Sequence, residues 1–235
     1  VGERTVAVPA PDAVPQKEIN IRTKAYTQNE LFQFSMTSDL KDKLKIGDKG
    51  AARWLSPSAP FAIIDPSNTS IKYPSIEHYL AAMRFKLASN KPLLAETVFS
   101  SIGSIHQEYV KQRTLEQAQG RFSEERDFEL LEEESKRLKR EQQGAALKKY
   151  GATINEALWT TVKQGVLRDA VKQRLERDDR LRAIVNSVRD QGKILLFQVK
   201  TLGNELGGQR RENGTIEGEN RYGKMLMEVA GGFTA

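Results

Sequence analysis

The chain has no cysteine and only two histidines, His78 and His106, among its 235 residues. Without thiols it can form no disulfide, no thiolate metal site and no cysteine nucleophile. Two imidazoles leave a histidine-based metal cluster short of ligands, so neither a metal nor another cofactor is expected and a zinc enzyme is disfavoured. Long apolar runs are missing too: nothing approaches the roughly 20 residues that a bilayer-crossing helix requires. With 38% hydrophobic and 29% charged residues, the chain reads as a soluble globular protein.

What is plentiful is charge. The formal net charge of +6 suits contact with phosphate, an anionic surface or an acidic partner, and therefore admits RNA. Much of the positive charge is interleaved with acids, as in "EEESKRLKREQ", the pattern of a solvated helix face. A start at Val1 rather than Met reads as a processed product or a piece of a longer chain. A cleaved organellar transit peptide, as of a mitochondrial protein, would explain it in an intracellular setting.

Residues 1–24 carry three prolines and no periodic apolar face, which predicts an extended arm. The remainder, 25–235, reads as a single domain. A turn at Gly47 to Gly50 leads into an apolar segment, Pro60 to Ile64, read as a short strand, and the turn cluster "DPSNTS" connects it to a return strand, Ile71 to Tyr73. After Pro74 helical spacing begins, with Ile76, Tyr79, Leu80, Met83 and Leu87 on one face and Ser75 as N-cap. A helix is expected after Pro92 with Leu93, Leu94, Val98 and Phe99 inward, and a shorter one at "GSIHQEYVKQR". About 123–149 is a charged, solvent-exposed or partner-facing helical insertion with Glu132/Lys136 and Glu133/Arg137 pairs. Asn155 to Val188 reads as two helices broken near "RDD", and "ILLFQV" as the best strand. A glycine-rich loop, Gly203 to Gly218, and a short helix close the chain. The class is α+β, mostly helical, with a few short strands.

Two segments carry possible chemistry. In "YPSIEHYLAAMRF" Ser75 places Glu77 in the first helical turn, where the helix dipole favours a carboxylate. Such a group can stabilise a developing oxocarbenium ion, orient water or bind ribose hydroxyls; the local sequence by itself favours the plainer role of decorating a helix start. In "GENRYGKMLMEV" Gly218 and Gly223 around Asn220 permit a tight loop feeding a helix N-terminus, a phosphate-binding geometry or a plain turn before a core helix.

Five segments in order, "LSPSAPFAI", "YPSIEHYLAAMRF", Trp159 with "VLRDAVKQRLERDDRLRAIV", "KILLFQV" and "GENRYGKMLMEV", resemble the NADAR (YbiA-like) family. The resemblance runs from about Trp54 to Val229 and leaves out the arm and the charged insertion. It implies the NADAR fold and cleavage of N-glycosidic bonds, on ribosylated pyrimidines or on ADP-ribose attached to a nucleobase. It implies Glu77 as the catalytic group if the protein is active, and His78, Trp159, Gly218, Asn220 and Gly223 as ligand-binding positions. The departures matter. Ala81 replaces the family's glutamine, and Arg84 replaces its lysine and cannot serve as a Schiff-base amine. Phe197 or Gln198 stands for its strand acid, and Leu206-Gly207 for its Trp-Gly pair. These changes favour a degraded active site in a noncatalytic structural or interaction subunit of a larger assembly. Other protein subunits are then its expected partners, with RNA and an ADP-ribose-like ligand as further candidates. The alternative is an active N-glycosidase that has moved its groups, using Glu77 with Lys86 or Arg53.

Overall fold

The computed structural model describes residues 24–35, 51–199 and 205–231. The arm over 1–24, save Lys24, and the turn at Gly47 to Gly50 lie outside the described residues, as does the start of the glycine-rich segment. After the single turn α1 (Ala51–Trp54), helix α2 (Ile76–Ala88) lies at the centre. Ser75 is extended, and its Oγ accepts the His78 amide at 3.3 Å, satisfying one of the N–H groups that a helix start leaves open. The predicted face buries Ile76, Tyr79 and Met83, but Ala81, Ala82 and Phe85 are buried as well, whereas Leu87 is exposed. α2 is enclosed by β3 (Asn68–Tyr73), α3 (Leu94–Thr97), α5 (Glu124–Arg140) and α7 (Glu156–Arg177). A helix with neighbours on several sides has no single apolar stripe to show.

Strand β1 (Leu31–Phe34) pairs in parallel with β4 (Ile194–Phe197), in register from Leu31 with Ile194 to Phe34 with Phe197. Every residue of β4 is buried, which is why its sequence is continuously apolar rather than alternating. Helices α8 (Asp179–Asp190) and α9 (Arg221–Ala230) pack on it, and the rings of Phe34, Phe197 and Tyr222 gather with centroids no more than 6.0 Å apart. The break between α7 and α8 falls at Asp178, within the predicted "RDD", where the Asp178 carboxylate caps α8 by accepting the Leu181 amide at 2.9 Å. The glycine-rich segment holds an antiparallel pair, β5 (Gly208–Arg210) and β6 (Ile216–Gly218).

Several elements differ from expectation. The predicted hairpin is present, but β2 (Ile63–Asp65) starts at Ile63 rather than Pro60, and β3 starts at Asn68 rather than Ile71. The helix after Pro92 is the single turn α3, with Leu93 74% exposed rather than inward. The next, α4 (Ser104–Ala118), is longer than α2. The charged segment is two helices, α5 and α6 (Gly144–Tyr150), and α5 is not simply a solvated face: Leu130, Leu131, Glu134, Ser135 and Leu138 are buried. Its outward pairs form as predicted, Glu132 to Lys136 at 3.0 Å and Glu133 to Arg137 at 3.9 Å. The few leucines of this face suffice because the polar residues buried beside them, Glu134 and Ser135, find partners on α2 in His78 and Glu77. The fold is α+β and mostly helical, and among the described residues no helix is long and apolar enough to cross a membrane.

Asp65 ties three of these elements together. It accepts hydrogen bonds from Tyr73 Oη at 2.9 Å, Lys86 Nζ at 2.6 Å and Ser67 Oγ at 2.8 Å. Burial opposes its ionisation, but these donors outweigh that and hold the carboxyl below the ordinary value of 3.8. A depressed folded-state pKa adds stability above the unfolded value that is lost as pH falls through the folded one. The urea midpoint should therefore drop as pH is lowered below about 4, and Asp65→Asn should flatten that drop while costing about 2 kcal/mol at neutral pH through lost charge-assisted bonds. An unchanged acid limb in the variant would remove Asp65 from the account.

Candidate functional site

A cleft of about 570 Å³ opens beside the first turn of α2, walled by α5 and by the start of α7. That size is in the range of small-molecule sites. Glu77 lies at its side, 8% exposed, held from two directions. Its amide donates to the Pro57 carbonyl at 3.1 Å. Its Oε2 accepts the Ser135 hydroxyl at 2.6 Å. Lys139, one helical turn beyond Ser135, brings Nζ to 3.9 Å from Glu77 Oε1. The carboxylate is thus fixed by a neutral donor and flanked by a partly exposed cation.

Arg84 lines the same cleft without filling it. Its guanidinium donates to the Gln142 carbonyl at 3.2 Å and to Glu156, which draws it against the wall formed by the end of α5 and the start of α7. On the far side Lys163 donates to Glu205 at 2.6 Å, and Glu205 also meets Arg221 at 3.3 Å. Trp159, half-buried one turn into α7, stands between these groups. Leu80, Trp159, Leu167 and Leu206 border an adjoining, largely apolar recess of about 170 Å³. A polar cleft with a flat ring and an apolar annex at one end matches a ligand with a polar, charged part and a planar part.

Of the predicted catalytic and ligand-binding positions, Glu77 and Trp159 meet in this cleft, which Ala81, Arg84 and Leu206 also line. The other predicted positions lie elsewhere. His78 points away from it into the α2–α5 seam, where His106 Nδ1 is 2.8 Å and His78 Nε2 3.3 Å from Glu134 Oε1. Burial disfavours a charged Glu134, but His106 and His78 outweigh this and hold its carboxyl below the ordinary range. The histidine count that spoke against a metal cluster overlooked this third donor. Gly218, Asn220 and Gly223 sit against β4 and β5: Asn220 bonds the backbone of β4, and Cβ atoms at Gly218 and Gly223 would lie 2.8 Å from Gly207 O and 2.5 Å from Leu195 O. Neither alternative catalytic partner is at Glu77: Lys86 is paired to Asp65, and Arg53 lies over the Phe128 ring at 4.8 Å.

Ser135 and Lys139 escaped the sequence reading, as did Glu156, Lys163 and Glu205. Ser135 left one trace: with Leu131, Glu134 and Leu138 it falls on the i, i+3, i+4, i+7 face of α5, where a purely solvated helix has no reason to place a serine. Lys139 left none, because nothing local separates it from the other cations of "SKRLKR".

No protein-family model matches the chain, and no curated protein does. Among solved structures, the E. coli protein YbiA, determined by NMR, is similar over 89% of this chain and 88% of its own, with a TM-score of 0.46 and 18% sequence identity.

Proposed function

We propose that the cleft binds a ribosylated base, and that the protein is an N-glycosidase in which Glu77 stabilises the sugar cation as the C1′–N bond breaks. Water's hydroxyl then ends on C1′ and its proton on the departing base. The carrying observation is that the cleft beside Glu77 is open, with the carboxylate pinned by Ser135 and a lysine amine within 3.9 Å. A fixed carboxylate facing a site of developing positive charge lowers a barrier without reorganising during the reaction. Lys139 supplies at this carboxylate the amine type that Arg84 cannot, and the Trp159 face with its apolar recess suits the planar base. Lys139 and Lys163, which line the cleft, suit the phosphates of an ADP-ribose-like substrate, Lys163 by exchanging its pair with Glu205.

A second reading keeps the cleft for binding alone, in an interaction subunit of a larger assembly. It is favoured by the engagement of Arg84 with Glu156 and the Gln142 carbonyl, which leaves the family's lysine position occupied by a wall residue.

The two readings separate on one experiment: incubation with ribosylaminopyrimidines and with ADP-ribosylated nucleic acid, followed by detection of free base. Release of base that falls at least about 100-fold in Glu77→Gln, with the fold intact by circular dichroism, is the expected result. Lys139→Met should lower it by about tenfold or more through lost charge at the same carboxylate. Ligand binding without release, or release indifferent to Glu77→Gln, would sink the enzymatic reading.

A further inference from the structure

We propose that His78, His106 and Glu134 form a site for a divalent transition-metal ion of the zinc type, set in the seam where α2, α4 and α5 meet. The inference is independent of the reading of the cleft. The three donors come from three different helices, and their ligating atoms all lie within 4.8 Å of one another. The two closest separations are 2.8 Å from His106 Nδ1 and 3.3 Å from His78 Nε2 to the same carboxylate oxygen, Glu134 Oε1. Donors about 2.0–2.1 Å from a tetrahedral zinc ion stand about 3.3 Å from each other, so small side-chain adjustments suffice.

His78 makes the case more than an ion pair. Its side chain is 4% exposed, and its Nε2 lies 3.3 Å from Glu134 Oε1 without making a well-aligned hydrogen bond to it or to any other described residue. A buried ring nitrogen with only this poorly aligned contact is under-satisfied, at a cost in free energy, and the closer bond between His106 and Glu134 does not relieve it. A metal ion does. The opposite ring atom, His78 Nδ1, is 3.0 Å from Ser75 Oγ, the outer contact that commonly sets the orientation and tautomer of a ligating histidine. His106 is similarly steadied, stacked on Tyr109 with centroids 5.4 Å apart.

The donor types choose the class of ion. Two imidazole nitrogens with one carboxylate oxygen suit zinc and its neighbours, whereas magnesium and calcium prefer shells made of oxygen. Three protein ligands leave a fourth position for water, and His106, with 18% of its side chain exposed, provides the solvent-facing side. The site also has a structural consequence. His78 and Glu134 are chain neighbours of Glu77 and Ser135, so an ion here would clamp α2 to α5 on the back of the contact that positions the cleft carboxylate.

The test is titration of the chelator-stripped, tag-free full chain with Zn²⁺ by calorimetry, with Co²⁺ absorption as the coordination readout. One equivalent should bind per chain, with visible Co²⁺ bands of a four-coordinate ion. His106→Ala and Glu134→Gln, each verified as folded, should weaken binding at least about tenfold. Because His78 is buried, His78→Gln serves only as a third variant. Absence of saturable binding, or binding unchanged in both His106→Ala and Glu134→Gln, would overturn the proposal.

Discussion

Arg174→Ala is expected to destabilise the protein by about 3–5 kcal/mol, the range for removing one partner of a buried ion pair. The guanidinium has no exposed surface and lies between the rings of Trp54 and Phe61, with centroids 5.7 and 5.9 Å away. It donates to the Ser56 carbonyl at 2.9 Å, to the Trp54 carbonyl, and to Asp178 at 3.3 Å. Truncation would leave two carbonyls and a carboxylate facing a cavity. Asp178 would keep the Trp54 indole at 3.1 Å and the Leu181 amide at 2.9 Å but lose its only cationic contact among the described residues. The same arginine reaches the site indirectly, since the loop it grips continues to Pro57, whose carbonyl accepts the Glu77 amide.

Urea denaturation checks the expectation, and two companions make it specific. Arg174→Lys should recover little, because an ammonium cannot fork between the two carbonyls and the carboxylate. Arg174→Met with Asp178→Asn should recover part of the loss, since it removes both charges and keeps the helix cap. A loss below about 1 kcal/mol for Arg174→Ala would place this residue among ordinary surface substitutions and end the argument.

Asn220→Ala is expected to cost about 3–5 kcal/mol from two lost buried hydrogen bonds and a left-handed backbone. Asn220 is fully buried with φ 45° and ψ 39°. Its side-chain oxygen accepts the Phe197 amide at 3.0 Å, and its amide nitrogen donates to the Leu195 carbonyl at 2.9 Å. One side chain thus does for β4 what a neighbouring strand would do, on the edge opposite β1. Asn220→Gly keeps the backbone conformation and loses the bonds, so it should be less damaging than alanine by about 1 kcal/mol. The separation is measurable by urea unfolding, with amide exchange at Phe197 reporting the lost bond directly. Because Asn220 does not line the cleft, folded Asn220→Gly should retain ligand affinity; a selective loss of affinity without a loss of stability would return the residue to a binding role.

The same residue illustrates how the two levels of description relate. Gly218, Asn220 and Gly223 were legible as a tight turn before a helix; Gly218 ends β6, Asn220 in a left-handed conformation caps α9, and Gly223 lies inside that helix. Whether such a turn cradles a phosphate or braces a strand depends on what lies in front of its polar groups, and here β4 lies there. "YPSIEHYLAAMRF" likewise declared its own N-cap and the place of Glu77, because capping is a matter between residues three apart. It could not show that Glu77 would meet Ser135 and Lys139, or that His78 would meet His106 and Glu134. These partners are 28 to 62 residues away along the chain.

Sequence alone determined the local elements: the cap at Ser75, the break at Asp178, the buried run of β4, and the absence of thiol chemistry. Each depends on spacing within a few residues or on composition. Tertiary structure decided whether the cleft beside Glu77 is open, which cations face it, and that a charged helix with a thin apolar stripe would supply a wall. A helix exposes a similar surface pattern whether solvent or one neighbouring helix covers its polar edge. Only the packing of α5 on α2 separates the two.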